Sequence, residues 1–241
     1  MNFAGILAGG SGTRMGKTDL PKQFLMLGEK PIIIHTIEQF LASSLIERVV
    51  VAVPKVWITH TKDIIKKYCS IKSNNIDVIE GGSDRNETVM NVFNYIDTNF
   101  KTDNDTIVVT HDAVRPFVTQ RIIKDNISLC KKYGACDTVV PAFDTIVESK
   151  DGDIISNIPI RKELYQGQTP QSFRLKEFIK VNNSLTEQEK NTLTDACKVY
   201  VLKNKKVGLV KGESFNLKIT TKHDLKMANL MIGNIKEDEE C

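Results

Sequence analysis

The chain has 241 residues, 41% of them hydrophobic and 26% charged, enough length and apolar content for a sizeable core without disulfides or a structural metal. Its 33 Lys and Arg against 30 Asp and Glu leave a formal charge of +3, too even for an electrostatic nucleic-acid binder. No apolar run approaches the ~18 residues of a membrane span, the N-terminus lacks a signal-peptide pattern, and the cysteines (Cys69, Cys130, Cys136, Cys197 and Cys241) form no Cys-x-x-Cys pair, so the expected class is a cytoplasmic α/β enzyme.

In chain order, Phe3–Leu7 is a short apolar run that ends in glycines. Residues 31–41 carry apolar side chains at helical spacing, with Pro31 suited to a first helical turn. The valine-rich run 48–53 reads as a buried strand, 55–68 as a helix, and 76–80 as a strand closed by Gly81-Gly82. Ser83 or Asp84 can cap a helix over about 85–98. Residues 106–110 and 135–140 read as strands around a helix at 119–133. This alternation implies βαβ units and a mostly parallel, Rossmann-like sheet flanked by helices, in one domain spanning 1–241. After residue 141 the rhythm changes: 145–148 and 154–155 around Asp151-Gly152 predict a β-hairpin, an inserted arm over about 142–162. Residues 165–173 read as a proline-containing loop, 174–180 and 186–191 as helices, and 207–210 as a strand. Thr221-x-x-Asp224 opens a last helix over 222–235.

The most informative segment is Leu7-Ala8-Gly9-Gly10-Ser11-Gly12-Thr13-Arg14-Met15-Gly16, directly after the first strand, where α/β folds bind phosphates. It fails three familiar motifs. Met15 stands where a dinucleotide G-x-G-x-x-G needs glycine, Ser11 where a Walker A loop does, and Thr13 where a nucleophile elbow does. The residues alone leave a ligand-free strand-to-helix turn open. Glycine amides followed by two cations, Arg14 and Lys22, suit a polyphosphate whose charge rises during reaction.

Ala8-Gly9-Gly10-Ser11-Gly12-Thr13-Arg14-Met15 followed by Pro21-Lys22-Gln23-Phe24 resembles the signature of the sugar- and polyol-phosphate cytidylyltransferases, and the resemblance runs from about residue 3 to 232. Two families are candidates: the ribitol-5-phosphate cytidylyltransferases of wall-teichoic-acid and related ribitol-polymer synthesis, and the 2-C-methyl-D-erythritol 4-phosphate cytidylyltransferases of isoprenoid synthesis. Ala8-Gly9-Gly10 in place of the Ala-Ala-Gly usual in the isoprenoid enzymes points to the ribitol branch. So do Arg85-Asn86-Glu87, the segment His111 to Phe117, and Tyr165-Gln166-Gly167-Gln168.

The resemblance implies CTP binding by Leu7, Ala8, Gly9, Gly10 and Gly12, with Arg14 and Lys22 catalytic. Gly81-Gly82-Ser83-Asp84-Arg85-Asn86-Glu87-Thr88 reads by itself as a glycine turn and helix N-terminus with free amides. By resemblance Gly81, Gly82, Asp84, Arg85, Asn86, Glu87, Thr88 and Ala113 bind CTP, this loop holding the cytosine. Asp112, at the end of a strand near a phosphate loop, reads either as a Mg²⁺ ligand or as a turn cap. The resemblance places Asp112 beside the reacting phosphates and Arg115 beside the acceptor, while a lone His111 reads as structural. It also gives Thr145, Arg161 and Thr169 to the acceptor site and makes Arg161 and Lys218 catalytic, each contacting a phosphate.

The implied reaction transfers CMP from CTP to D-ribitol 5-phosphate, with Mg²⁺ as cofactor. The implied assembly is a homodimer with exchanged β-arms, linked functionally to a ribulose-5-phosphate reductase, with no nucleic-acid or membrane partner. A nicotinamide-dependent oxidoreductase is disfavoured by Met15 and by the absence of an acidic ribose ligand after the second strand. A non-catalytic nucleotide-binding regulator is disfavoured by the presence of Lys22, Arg161 and Lys218.

Overall fold

The structure is a computed structural model that describes residues 1–10 and 20–239. Strands β1 (Asn2–Leu7), β2 (Met26–Leu27) and β3 (Lys30–Pro31) precede helix α1 (Ile32–Ala42). Then come β4 (Arg48–Val53), α2 (Ile58–Tyr68), β5 (Ile76–Glu80), α3 (Arg85–Asn99), β6 (Ile107–Asp112), α4 (Gln120–Tyr133) and β7 (Ala135–Pro141). The C-terminal part holds β8 (Tyr165–Arg174), α5 (Leu175–Asn183), α6 (Glu187–Asn191), α7 (Lys198–Leu202), β9 (Gly208–Lys211) and α8 (Lys222–Glu239).

Seven strands form one sheet in the order β5-β4-β1-β6-β8-β7-β9. All run parallel except β8, which is antiparallel to both β6 and β7. The central strands are apolar on both faces because helices cover both. Ala4, Ile6, Val49, Val51 and Val109 pack against α1, α2 and α4, while Phe3, Val50, Ala52 and Val108 pack against α3, α5 and α7. A third cluster, Leu27, Ile32, Val114, Ile219 and Ala228, fastens α8 to the small β2–β3 hairpin. Among the described residues no helix is long and apolar enough to cross a membrane.

Caps account for several helix boundaries. Asp84 accepts from Glu87 N–H at the start of α3, Thr119 accepts from Ile122 N–H at the start of α4, and Gly134 closes α4 at φ 84. Asp224 and Thr221 exchange hydrogen bonds at the start of α8. Pro31 precedes the first turn of α1 instead of lying within it.

Two expectations are corrected. Residues 165–173 are not a loop: they form most of β8, with Gln168–Phe173 buried in the middle of the sheet. Gln, Thr, Pro and Ser disguise the strand. Pro170 is tolerated because the β7–β8 ladder breaks there, the register passing from Asp137 opposite Gln171 to Val139 opposite Gly167. The predicted hairpin is also absent as a ladder. Between β7 and β8 a single isolated bridge joins Glu148 to Asn157, and Gly152 makes a tight turn at φ 87. Asp151 accepts three bonds there, from Asp153 N–H, Ile154 N–H and Ser149 O–H. Phe143, Ile154, Ile155, Ile158 and Ile160 lie exposed on this arm, so no apolar face drives it to pair with itself.

Candidate active site

The C-terminal ends of β1 and β6 open on one cleft of about 360 Å³. β1 lies between β4 and β6, where the order of strands reverses and loops diverge, the usual place for a ligand in an open α/β sheet. Leu7, Ala8, Gly9 and Gly10 form one wall, Gly82, Ser83, Asp84, Arg85 and Thr88 another, and Asp112, Ala113, Val114, Lys22, Gln23 and Lys218 complete the lining.

The glycine loop is pinned from two sides. Ala8 N–H donates to Ala52 O at 2.8 Å, and Gln23, fully buried, donates from Nε2 to Ala8 O at 2.8 Å. Gly82 N–H donates to Thr88 Oγ1, whose hydroxyl donates to Asp84 O, so the Gly81-Gly82 turn is tied to the first turn of α3. A Cβ on Gly82 would stand 2.4 Å from Glu87 Cβ, which is why this turn requires glycine.

Asp112 is the electrostatic hub. Its carboxylate is 5% exposed and meets Arg85 Nη1 at 2.5 Å, Lys218 Nζ at 2.9 Å and Arg115 Nε at 3.5 Å. Burial alone would push its carboxyl up, but the facing charges of Arg85, Lys218 and Arg115 overcome that and hold it far below the usual carboxylate range. One buried anion with three cations leaves a surplus of positive charge beside the glycine loop. Such a site attracts a polyphosphate and stabilises negative charge that develops on it.

This arrangement corrects the expectation of Asp112 as a Mg²⁺ ligand. Both carboxylate oxygens already face cations, which would repel a divalent ion. Asp84, the other acidic residue lining the cleft, caps α3. The described residues therefore do not fit a protein-held metal at this position. Among them, the one acidic group with metal-like spacing is Asp137, Asp195 and Cys197, outside the cleft lining. Gln171 Nε2 donates to both carboxylates there, and burial together with Asp195 pushes the Asp137 carboxyl up to about 7.

Several residues expected to touch substrate do not line the cleft. Arg115 is buried, donating to Asn216 O at 2.7 Å and facing Asp112. Thr169 is buried between His111 and the backbone of Asp112. Gly81, Asn86 and Glu87 do not line the cleft either; Glu87 instead accepts from Ser83 N–H and Oγ. Thr145 and Arg161 belong to the arm, where Arg161 donates to Phe143 O. Gly12 and Arg14 lie outside the described residues. The sequence assigns no role to Gln23, which stands within Pro21-Lys22-Gln23-Phe24, or to Asn216. Asn216 is fully buried and donates to Thr169 O and Gln168 Oε1, fixing the loop that carries Lys218.

The sequence profile of the 2-C-methyl-D-erythritol 4-phosphate cytidylyltransferase (IspD) family matches residues 3–234. Among solved structures, 4-diphosphocytidyl-2C-methyl-D-erythritol synthase from Anaerococcus prevotii is 26% identical with a TM-score of 0.77, the match covering 96% of each chain. The 2-C-methyl-D-erythritol 4-phosphate cytidylyltransferase of Francisella tularensis is 27% identical with a TM-score of 0.76, over 95% of this chain and 98% of that one. The enzyme of that name from Thermus thermophilus shares the fold at 23% identity and a TM-score of 0.73, over 96% of this chain and 98% of that one. With the cation-rich cleft at the sheet's switch point, these matches establish that the chain belongs to the IspD family of cytidylyltransferases and is a CTP-dependent nucleotidyltransferase.

Proposed function

We propose that the chain transfers CMP from CTP to D-ribitol 5-phosphate, giving CDP-ribitol and pyrophosphate for wall teichoic acid or a related ribitol polymer. The observation that carries the chemistry is the cleft in which Lys22, Arg85 and Lys218 meet the glycine loop. An acceptor phosphate oxygen attacks the α-phosphorus of CTP in line, and pyrophosphate leaves. The acceptor dianion is already a nucleophile, so catalysis is positioning and charge stabilisation. Lys22 and Lys218, with Arg14, take up the charge on the α-phosphate and the departing pyrophosphate. Mg²⁺ would supply further charge neutralisation on the triphosphate, with no acidic residue of the described cleft lining free to hold it.

The ribitol acceptor is supported by Ala8-Gly9-Gly10, Arg85-Asn86-Glu87, the segment His111 to Phe117, and Tyr165-Gln166-Gly167-Gln168. The second reading, 2-C-methyl-D-erythritol 4-phosphate as acceptor, is the one the comparisons favour, because the matched family and the solved relatives carry that name. Purified protein incubated with CTP and each acceptor in turn, with pyrophosphate release as the readout, decides between them. Higher kcat/KM with methylerythritol phosphate would overturn the ribitol assignment, and silence with both would remove both acceptors.

In the same reading the enzyme is a cytoplasmic homodimer. The arm over 142–162 carries Thr145 and Arg161 into the partner's acceptor pocket, where a guanidinium binds a phosphate through two parallel hydrogen bonds. The exposed apolar side chains of the arm support this. A reductase acting on ribulose 5-phosphate would supply the acceptor.

A further inference from the structure

Gln168 stands where β8 leaves its ladder with β7. Asp137 lies opposite Gln171 and Val139 opposite Gly167, so Thr138 faces residues 168–170 and β8 bulges there. A bulge beside a site re-aims a side chain. Gln168 is buried, and its amide meets the loop between β9 and Lys218 with both of its ends. Nε2 donates to Glu213 O at 2.9 Å, and Oε1 accepts from Asn216 Nδ2 at 3.2 Å.

Those two partners are the first and last residues of a turn, closed by Asn216 N–H donating to Glu213 O at 3.0 Å. The loop is tied to the sheet before the turn, where Gly212 N–H donates to Val139 O, and after it, where Ile219 N–H donates to Val114 O. Gln168 grips the turn between these ties. A carboxamide donates and accepts at once, which neither an ionised Glu nor a Met at this position could do. Gly212 lies against the same amide: a Cβ there would stand 2.5 Å from Gln168 Oε1. Lys218 follows directly on this turn, lines the cleft and places Nζ 2.9 Å from Asp112 Oδ2.

We propose that Gln168 is a positioning residue for nucleotidyl transfer: it clamps the turn 213–216 to β8 and so fixes where Lys218 delivers its charge. It acts through Lys218. This rests on the transfer reaction proposed above. Misplacing a group at the reacting phosphates by about 1 Å costs up to about 10²-fold in rate.

The test is a substitution cycle with kinetics. Gln168→Met keeps the length of the side chain and deletes both hydrogen bonds. Expected are a fall of about tenfold or more in kcat, with KM for CTP changed by less than about threefold. In a Lys218→Ala background, Gln168→Met should cost less than about threefold, because the group it positions is gone. Equal loss in both backgrounds, or wild-type kcat in Gln168→Met, overturns the proposal. Gly212→Ala reaches the same contact from the loop side. Its methyl group displaces the end of the Gln168 side chain and leaves β8 unsubstituted, so the same cycle can be read from it if Gln168→Met does not fold.

Hydrogen exchange reads the clamp without turnover. In either variant the amides of Asn216 and Ile219 should exchange about tenfold faster or more, while those of β1 and β4 keep their protection. Unchanged exchange at Asn216 overturns the clamp. A wild type inert toward both acceptors would fail the reaction reading instead, and the exchange at Asn216 would still decide the clamp.

Discussion

Lys218 Nζ stands 2.9 Å from Asp112 Oδ2, so the loop after β9 is locked to the end of β6 by a charge pair at the floor of the cleft. The pair does not cancel: Arg85 and Arg115 face the same carboxylate. Asp112 gathers cations for the nucleotide and contributes no free charge of its own.

Removing that anion should therefore be worse for the fold than removing any one cation. Asp112→Asn leaves Arg85, Arg115 and Lys218 crowded without a counter-charge. Breaking a buried pair from one side costs about 3–5 kcal/mol. A urea melt should show a loss of that size, and a variant as stable as wild type would contradict the hub role.

Lys22 lines the opposite wall, next to Gln23 and the glycine loop. Lys22→Ala should lower kcat by about 10²–10³ with CTP binding largely kept, as for loss of one preorganised charge contact. Pyrophosphate release and equilibrium binding of CTP check the two halves separately. Wild-type turnover would remove Lys22 from the mechanism.

Asp137 has a sign opposite to most carboxylates. Its folded-state carboxyl is raised to about 7 by burial and by Asp195. The folded chain holds this proton more tightly than the unfolded chain, whose Asp titrates near 4. The stability that depends on it is fully present below about pH 4 and is lost as pH rises through about 7. Asp137→Asn should therefore be more stable than wild type at pH 8, on the order of 1–2 kcal/mol, with the gap closing toward pH 4. Thermal melts at both pH values test this, and the reverse order would contradict it.

Gly82 sits where a methyl group would strike the first turn of α3, at 2.4 Å from Glu87 Cβ and 2.8 Å from its carbonyl carbon. Gly82→Ala must move that turn, costing about 1–3 kcal/mol and raising KM for CTP. A variant with unchanged melting and unchanged KM would show that the turn has slack.

The proposed exchange of arms makes a prediction that one polypeptide cannot satisfy. Lys22→Ala and Arg161→Ala proteins should each be impaired alone. After unfolding and joint refolding in equal amounts, about a quarter of wild-type activity should return, because half the dimers are hybrids with one intact site each. No recovery above the separate variants would mean that each arm serves its own subunit.

The strands β1, β4, β5, β6 and β7 were legible from the sequence because hydrophobic side chains and turn signals marked them, and the glycine loop because glycines between a strand and two cations suggest phosphate binding. β8 was not, since its burial is met by paired polar groups: Gln171 with Asp137 and Asp195, Thr169 with His111, and Ser172 with Asn126. Such partners come from distant parts of the chain, and no local period records them. Nor does any local pattern record that Arg115, placed beside the acceptor by resemblance, donates to Asn216 O in a distant loop.

The arm leaves the sheet after β7, returns as β8, and has only the Glu148–Asn157 bridge of its own. Its sequence is thus almost uncoupled from folding of the sheet. A relative's arm of similar length could be grafted between Ala142 and Leu164, which already hold each other through the bond from Ala142 N–H to Leu164 O. If the arm reaches the acceptor as proposed, the choice of alcohol phosphate can evolve as a cassette, while the nucleotide half stays braced by strands.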